Sequence, residues 1–355
     1  MTPELNSQNF DIFVGIDVDK KNYSVSFKHR NKPAYKSFKI PSSPPMLMSY
    51  FKKRYPEANI LYNYEAGPTG YHLYDSLKIQ GETCIMVHPA SIEKAPNDRV
   101  KTNRLDSLKL CRTLEAGHLK GIRVPEESFR QLRHLIGARQ HYAQSLRRSK
   151  QQIESFLLFE HAELPDGFER SRWSRRHLEL LKALPLESVR RFKLDSFLSD
   201  LLYSRQRLLT VEREIRAFYV QNEAIRRHIR LLRSIPGFGF VVSAYFLSRI
   251  GDPLSLKNAR EIGSFAGVVP TERSTGERVQ RGRITHMGDS MLRSLLVEAA
   301  WVSIQKDVEL KCFFDRIKAK HRGGGGARIA IVAVARKLTH RAHKVLKEQR
   351  PYIIH

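Results

Sequence analysis

DIFVGIDVDKKNYSVSFK, residues 11–28, decides the fold of the N-terminal part of this chain. Asp11–Asp17 is a short apolar run with β-branched residues, the signature of a buried strand. The turn-rich Asp19–Asn22 (DKKN) follows, and Tyr23–Lys28 (YSVSFK) then alternates at period two, so the two runs read as paired strands. Ala34–Lys39 adds a third strand and completes a β-meander. Working outward, Pro44–Tyr55 reads as a helix. Asn59–Glu65 (NILYNYE) reads as a strand stopped by the breaker AGPTG. A helix over Tyr71–Ile79, a strand over Thr83–Val87 and a helix over Leu105–Ala116 complete the run. Three strands, helix, strand, helix, strand, helix predicts an α/β domain with a mixed sheet over residues 1–124.

From Pro125 onward strand signals give way to long charged helices. Leu135, Tyr142, Ser149 and Phe156 recur every seven residues beside the row Leu132, Leu146, Ile153. Phe197, Leu201, Ser204, Leu208, Val211, Ile215 and Phe218 step by four and three. Both are heptad seams with one polar interruption each, so residues 125–228 read as an antiparallel coiled-coil arm, either a local hairpin or an assembly device. Residues 229–355 read as a mostly α-helical domain with Gly/Pro punctuation. There Ser234–Gly239 (SIPGFG) is a tight turn, Gly267–Asp289 a long irregular stretch, and His321–Arg328 (HRGGGGAR) a linker before a final basic helix.

Charge narrows the partner. The 355 residues carry 62 Lys+Arg against 36 Asp+Glu, a formal net charge of +26. The excess is +7 over residues 1–124 and +19 over residues 125–355. Self-repulsion of that size makes most sense opposite a polyanion, which puts nucleic acid first and an anionic membrane second. No apolar run reaches the roughly 18 residues of a spanning helix, and the N-terminus MTPELNSQNFD is polar and acidic, unlike a signal peptide. Cys84, Cys111 and Cys312 lie far apart with no CxxC or zinc pattern. They read as buried thiols behaving as small apolar residues, and a reducing cytoplasm fits them.

Three carboxylates stand at informative places. Asp17 and Glu65 end strands, and Asp106 opens a helix. Singly, an acid after a strand is an ordinary turn or helix cap; together, in this order, they suit a Mg²⁺ site, because oxygen ligands match that hard cation. Two such ions about 4 Å apart can activate a nucleophile and stabilise a leaving oxygen. The element order is also that of a ribonuclease-H-like fold.

GIDVDKK, YEAGPTGYHLYDSL and RVKTNRLDSLKL resemble, in order and spacing, the DEDD transposases of insertion-sequence family one-ten, which are related to the Piv-type DNA invertases. LRSIPGFGFVVSAYFLSRIGD, FAGVVPTERSTGE and GRITHMGDSMLRSLLVEAA continue the resemblance at the other end of the chain. It implies a RuvC-like nuclease domain using Mg²⁺. Asp17, Glu65 and Asp106 match three of the family's four metal-binding acids, while Asn103 occupies the third acid's position and brings an amide oxygen without charge. Lys101 and Arg104 beside it are candidate phosphate contacts.

The resemblance also implies a hydroxyl nucleophile that becomes joined to DNA. In Pro270–Gly276 (PTERSTG) register favours Thr275 and reactivity favours Ser274, so both remain candidates. Arg273, Arg278, Arg281 and Arg283 are candidates for holding phosphoryl oxygens. The Ser234–Gly239 turn resembles a helix-hairpin-helix turn, with Gly237 and Gly239 letting backbone amides approach a phosphate. Base-reading signatures are absent, and the family's practice implies that a structured guide RNA selects donor and target DNA. A homodimer or homotetramer in the bacterial, nucleoid-associated cytoplasm is implied as well. Two rival readings are a hydrolytic nuclease resembling a junction resolvase and a decayed, binding-only protein.

Overall fold

The computed structural model describes residues 7–89, 102–119, 121–162, 172–253, 258–275, 278–285, 287–321 and 325–354; the side chains of 273–275 and 278–281 lie outside this set. The chain forms two compact units, Met1–Val124 and Pro125–His355.

The first unit is built on a five-stranded mixed sheet in the order β3-β2-β1-β4-β5. The strands are β1 (Ile12–Val18), β2 (Asn22–His29), β3 (Lys36–Pro41), β4 (Ile60–Glu65) and β5 (Thr83–Val87). The meander β1-β2-β3 is antiparallel, whereas β1/β4 and β4/β5 are parallel. This is the mixed sheet that the element order implies. Helices α1 (Pro44–Arg54), α2 (His72–Ile79) and α3 (Asn103–Glu115) cover it.

Alternation along the strands sorts two cores. Ile12, Val14 and Ile16 of β1 and Ile60, Tyr62 and Tyr64 of β4 pack with Leu47, Phe51, Leu73 and Leu77 of α1 and α2. Phe13, Leu61, Ile85 and Val87 on the opposite face pack with Leu110, Cys111 and Leu114 of α3. Both central strands are therefore buried on two faces, which explains the continuous apolar run read from residues 12–16.

The Tyr62 hydroxyl is fully buried and finds no hydrogen-bond partner among the described residues. Burial drives its pKa well above the usual phenol value, so it stays protonated. A buried hydroxyl without a partner has lost water for nothing. Tyr62→Phe is accordingly expected to leave stability unchanged or raise it by about 1 kcal/mol in urea unfolding. A loss of more than about 1 kcal/mol would mean that the hydroxyl is satisfied.

The second unit is helical. Helix α4 (Glu127–Phe159) and helix α6 (Ser188–Gln221), joined through α5 (Arg175–Ala183), pack antiparallel over most of their length. Contacts from one end to the other fix that direction: Arg139 to Glu212 at 2.9 Å, Arg207 to Tyr142 at 3.3 Å, and Arg190 to Glu160 at 2.9 Å. The polar interruptions Ser149 and Ser204 are both buried in the seam. Beyond lie α7 (Glu223–Arg233), α8 (Phe240–Ile250), α9 (Ala259–Ala266), α10 (Ser290–Lys306), α11 (Val308–Lys320) and α12 (Gly326–Glu348). Their core includes Ile229, Phe246, Leu296 and Leu338. Of the linker read over His321–Arg328, residues 322–324 lie outside the described set, and α12 begins at Gly326.

Two sequence expectations change. The stretch Gly267–Asp289 is not irregular throughout: β6 (Pro270–Thr275) and β7 (Arg278–Ile284) form an antiparallel two-stranded ribbon. Cys312 is exposed on α11 rather than buried, while Cys111 is buried and Cys84 intermediate. No helix among the described residues is long and apolar enough to cross a membrane.

Candidate active site

One end of the first unit's sheet gathers the acids. Because β1 and β4 are parallel and Ile16 pairs with Tyr64, Asp17 and Glu65 occupy the next step of adjacent strands. Neighbouring strands lie about 4.8 Å apart. Gly15 and Asn63 precede them by two residues and both face α3: a Cβ at Gly15 would meet the Cys111 amide, and Asn63 Nδ2 donates to the Leu110 carbonyl at 3.2 Å. By the period of two, Asp17 and Glu65 share that face.

Helix α3 crosses this face with its N-terminus toward the acids. Its C-terminal Glu115 is bonded to Lys28 and Tyr35, and Lys28 pairs with Phe13 at the opposite end of β1. The Cys111 thiol donates to the Phe13 carbonyl at 3.3 Å, and Ser107 bonds Ser26 at 2.8 Å. Thr102 caps the helix by accepting from the Leu105 amide at 3.3 Å. Asn103 and Asp106 therefore sit in the turn closest to the strand ends. Glu65, Asn103 and Arg104 are exposed; Asp17 and Asp106 are partly buried. Lys101 lies outside the described residues.

The donor chemistry fits a hard divalent cation, since all four candidate ligands offer oxygen. Their backbones converge. Their side chains do not close on one point: among the described residues no three Asp, Glu, His or Cys side chains are grouped tightly enough to hold a metal ion.

In the second unit, β6 carries Ser274, which pairs with Val279, and Thr275, which pairs with Arg278. The side chains of Ser274, Thr275, Arg273, Arg278 and Arg281 lie outside the described set, and Arg283 is exposed on β7.

The root of the ribbon is tied into the helices. Gly267 and Gly288 both have positive φ, and a Cβ on either would lie about 2 Å from a carbonyl oxygen, that of Met287 or Phe265. The Thr285 amide donates to Val269 O at 3.0 Å, and the Asp289 amide to Phe265 O at 2.8 Å. Asp289 caps α10 by accepting from the Leu292 amide at 2.9 Å and also receives Tyr245 and Arg249. Burial, then the Asp289 carboxylate, push the Tyr245 phenol up to about 12, which keeps it a donor.

The turn Ser234–Gly239 divides its glycines between two roles. Gly237, at φ +87°, packs so close to α10 that a Cβ would lie 2.2 Å from Ala299 O, so helix packing accounts for its missing side chain. Gly239 opens on empty space and stands at the N-cap of α8, where helix amides face outward. Just before this turn Arg227, Arg230 and Arg233 form an exposed row at helical spacing on α7, without an ion-pair partner among the described residues. That row was missed from sequence, although IRRHIRLLR, with apolar and basic residues on opposite faces, carries the signal.

Comparison with known proteins places both clusters in familiar segments. A family model described as transposase IS116/IS110/IS902 matches residues 229–315, which contain the ribbon, and a DEDD-type IS110 transposase model matches residues 14–161, which contain the acids. The chain is 33% identical over 294 residues to a putative transposase of Sinorhizobium fredii, covering 82% of this chain and 71% of that one. It is 25% identical over 346 residues to the transposase of insertion sequence element IS1533 from Leptospira borgpetersenii, covering 96% and 97%. It is 31% identical over 124 residues to a pilin gene-inverting protein of Moraxella bovis, covering 34% and 38%.

Proposed function

From the premise that this chain belongs to the IS116/IS110/IS902 family of transposases, enzymes that cut and rejoin DNA, we propose that its strand-end acids and a ribbon hydroxyl carry out the strand chemistry. The supporting observation is that two parallel strand ends and one helix N-terminus bring Asp17, Glu65, Asn103 and Asp106 to one end and one face of the sheet. When bound there, Mg²⁺ would supply Lewis-acid stabilisation of phosphoryl oxygens and lower the pKa of an attacking hydroxyl. The protein holds these donors on rigid elements, with α3 fixed against β1 and β4.

Ser274 or Thr275 supplies the nucleophile. Its hydroxyl oxygen bonds to phosphorus as the bridging P–O bond of the DNA breaks. The hydroxyl proton passes to a base, and the departing deoxyribose oxygen takes one up. The phosphoester is conserved as a protein–DNA link, so the strand can rejoin without an external energy source. Arg273, Arg278, Arg281 and Arg283 hold phosphoryl oxygens beside it.

DNA is the substrate of this family of enzymes, and a guide RNA selects donor and target. The +19 charge of residues 125–355 and the absence of a base-reading motif support that division of labour. Helices α4 and α6 serve as the coiled-coil arm of a homodimer or homotetramer, supported by the two heptad seams.

The test uses purified protein, Mg²⁺, labelled DNA spanning the element's junction and RNA transcribed from its non-coding flank, resolved on a denaturing gel. The wild type is expected to give a DNA-shifted protein band that either Ser274→Ala or Thr275→Ala abolishes. Free nicked DNA without an adduct would replace this mechanism by hydrolysis. No cutting at all would favour the decayed, binding-only protein.

A further inference from the structure

The root of the ribbon holds a guanidinium in an unusual setting. Arg249, in the last turn of α8, donates through Nε to Asp289 Oδ2 at 2.5 Å, and its guanidinium lies 5.9 Å from the centre of the Phe265 ring. The Asp289 side chain is 6% exposed and that of Arg249 34%. Arg249 makes no hydrogen bond through Nη1 or Nη2 among the described residues. Nε is thus held by a buried carboxylate beside an aromatic ring, while a third of the side chain stays exposed.

The carboxylate does not cancel that charge locally. Asp289 Oδ1 already accepts from the Leu292 amide and from Tyr245, at the positive end of α10, so its negative charge is shared among three donors, Arg249 included. Arg293 adds positive charge at the same root, where its Nη1 donates to Ala266 O at 3.2 Å. A guanidinium with one fixed edge and one open edge offers two parallel N–H donors at the spacing of two phosphate oxygens.

We infer that Arg249 is a backbone-phosphate clamp at the root of the β6–β7 ribbon, with Asp289 as the residue that positions it. The inference rests on the reading that this ribbon works on nucleic acid. From Pro270 at the root to Ser274 is four residues, about 13 Å at strand rise. At 3.4 Å per nucleotide that is roughly four steps along a duplex. Arg249 therefore holds a phosphate distant from the one attacked, and its effect falls on affinity and on the position of the cut rather than on the chemical step.

The test measures binding of labelled duplex DNA, and separately of the flank transcript, over a series of salt concentrations. Arg249→Gln, Arg249→Lys, Asp289→Asn and Tyr245→Phe are compared with wild type, and thermal unfolding is recorded for each. Arg249→Gln is expected to lower the slope of log affinity against log salt by about 0.9 for duplex DNA, or by about 0.7 for a single strand, whichever nucleic acid is held. Arg249→Lys and Asp289→Asn keep the cation, so both should keep the slope while spreading the cut over neighbouring positions. Tyr245→Phe leaves the cation and its Nε bond to Asp289 in place, so it should keep the slope. An unchanged slope in a folded Arg249→Gln protein, with both nucleic acids, would overturn the clamp. Should Arg249→Gln fail to fold, a single sharp cut position in both Arg249→Lys and Asp289→Asn would overturn it equally. Binding slopes do not depend on cleavage, so failure of the hydroxyl mechanism on the denaturing gel is a separate outcome.

Discussion

An Asp17→Ala protein is expected to bind DNA at least as tightly as the wild type and to cut it on the order of 10³-fold more slowly in single-turnover reactions. A ligand that places a divalent cation on a phosphoryl oxygen contributes several kcal/mol to the transition state. About 4 kcal/mol corresponds to a factor of about 10³. Affinity should not fall, because removing a carboxylate from a surface that approaches phosphate reduces repulsion. Stability should change little, since Asp17 stands near the end of β1, outside the apolar run Ile12–Ile16. A cutting rate within tenfold of wild type would remove Asp17 from the chemistry. Asn103→Asp provides the converse check: a fourth carboxylate beside Asp17, Glu65 and Asp106 should lower the Mg²⁺ concentration needed for half-maximal cutting.

Gly15→Ala is expected to be among the most damaging single substitutions in the first unit. A Cβ there would lie 2.4 Å from both the Cys111 amide nitrogen and the Ser107 carbonyl oxygen, and 3.0 Å from Cys111 Cα. All three atoms are backbone, so no side chain can rotate away; α3 must move off the sheet. Overpacking usually costs about 1–3 kcal/mol, and a backbone clash sits at or above the upper end. For a unit of this size about 3 kcal/mol lowers the melting temperature by on the order of 10 °C. The substitution also displaces Asn103 and Asp106 from the ends of β1 and β4, so cutting should fall further than the folded fraction alone explains. A melting temperature within about 2 °C of wild type would show that the approach of α3 to β1 is looser than described.

Much of the first unit is readable from residues because its rules are local. Alternation in YSVSFK, the uninterrupted apolar run of Ile12–Ile16 and the breaker after Glu65 each specify one element, and Thr83–Val87 agrees residue for residue. Glycine at position 15 carried a further signal, since a strand-interior glycine often marks close backbone approach. What approaches it depends on α3, about ninety residues later, which no local pattern discloses.

The ribbon was missed for a different reason. PTERST and RVQRGRI are polar on both faces, so the apolar alternation that betrays a half-buried strand is absent. The remaining signal was the two-residue connection Gly276-Glu277 between the paired Thr275 and Arg278, a Gly-X spacing typical of hairpins. At Gly237 the glycine pattern was visible and its use was not: the structure assigns it to packing on Ala299. The candidate acids were legible as residues, and their sharing of one sheet face follows only from the parallel pairing of β1 with β4.

The most direct measurement is peptide mapping of the protein–DNA adduct, trapped by denaturing a wild-type reaction with end-labelled DNA and then digested with nuclease and trypsin. The account predicts a phosphate-linked nucleotide on the peptide spanning residues 274–278, which contains both candidate hydroxyls, and on the order of 10³-fold slower accumulation of it with Asp17→Ala. Label on any other peptide, or cut DNA with no label on protein, would contradict it.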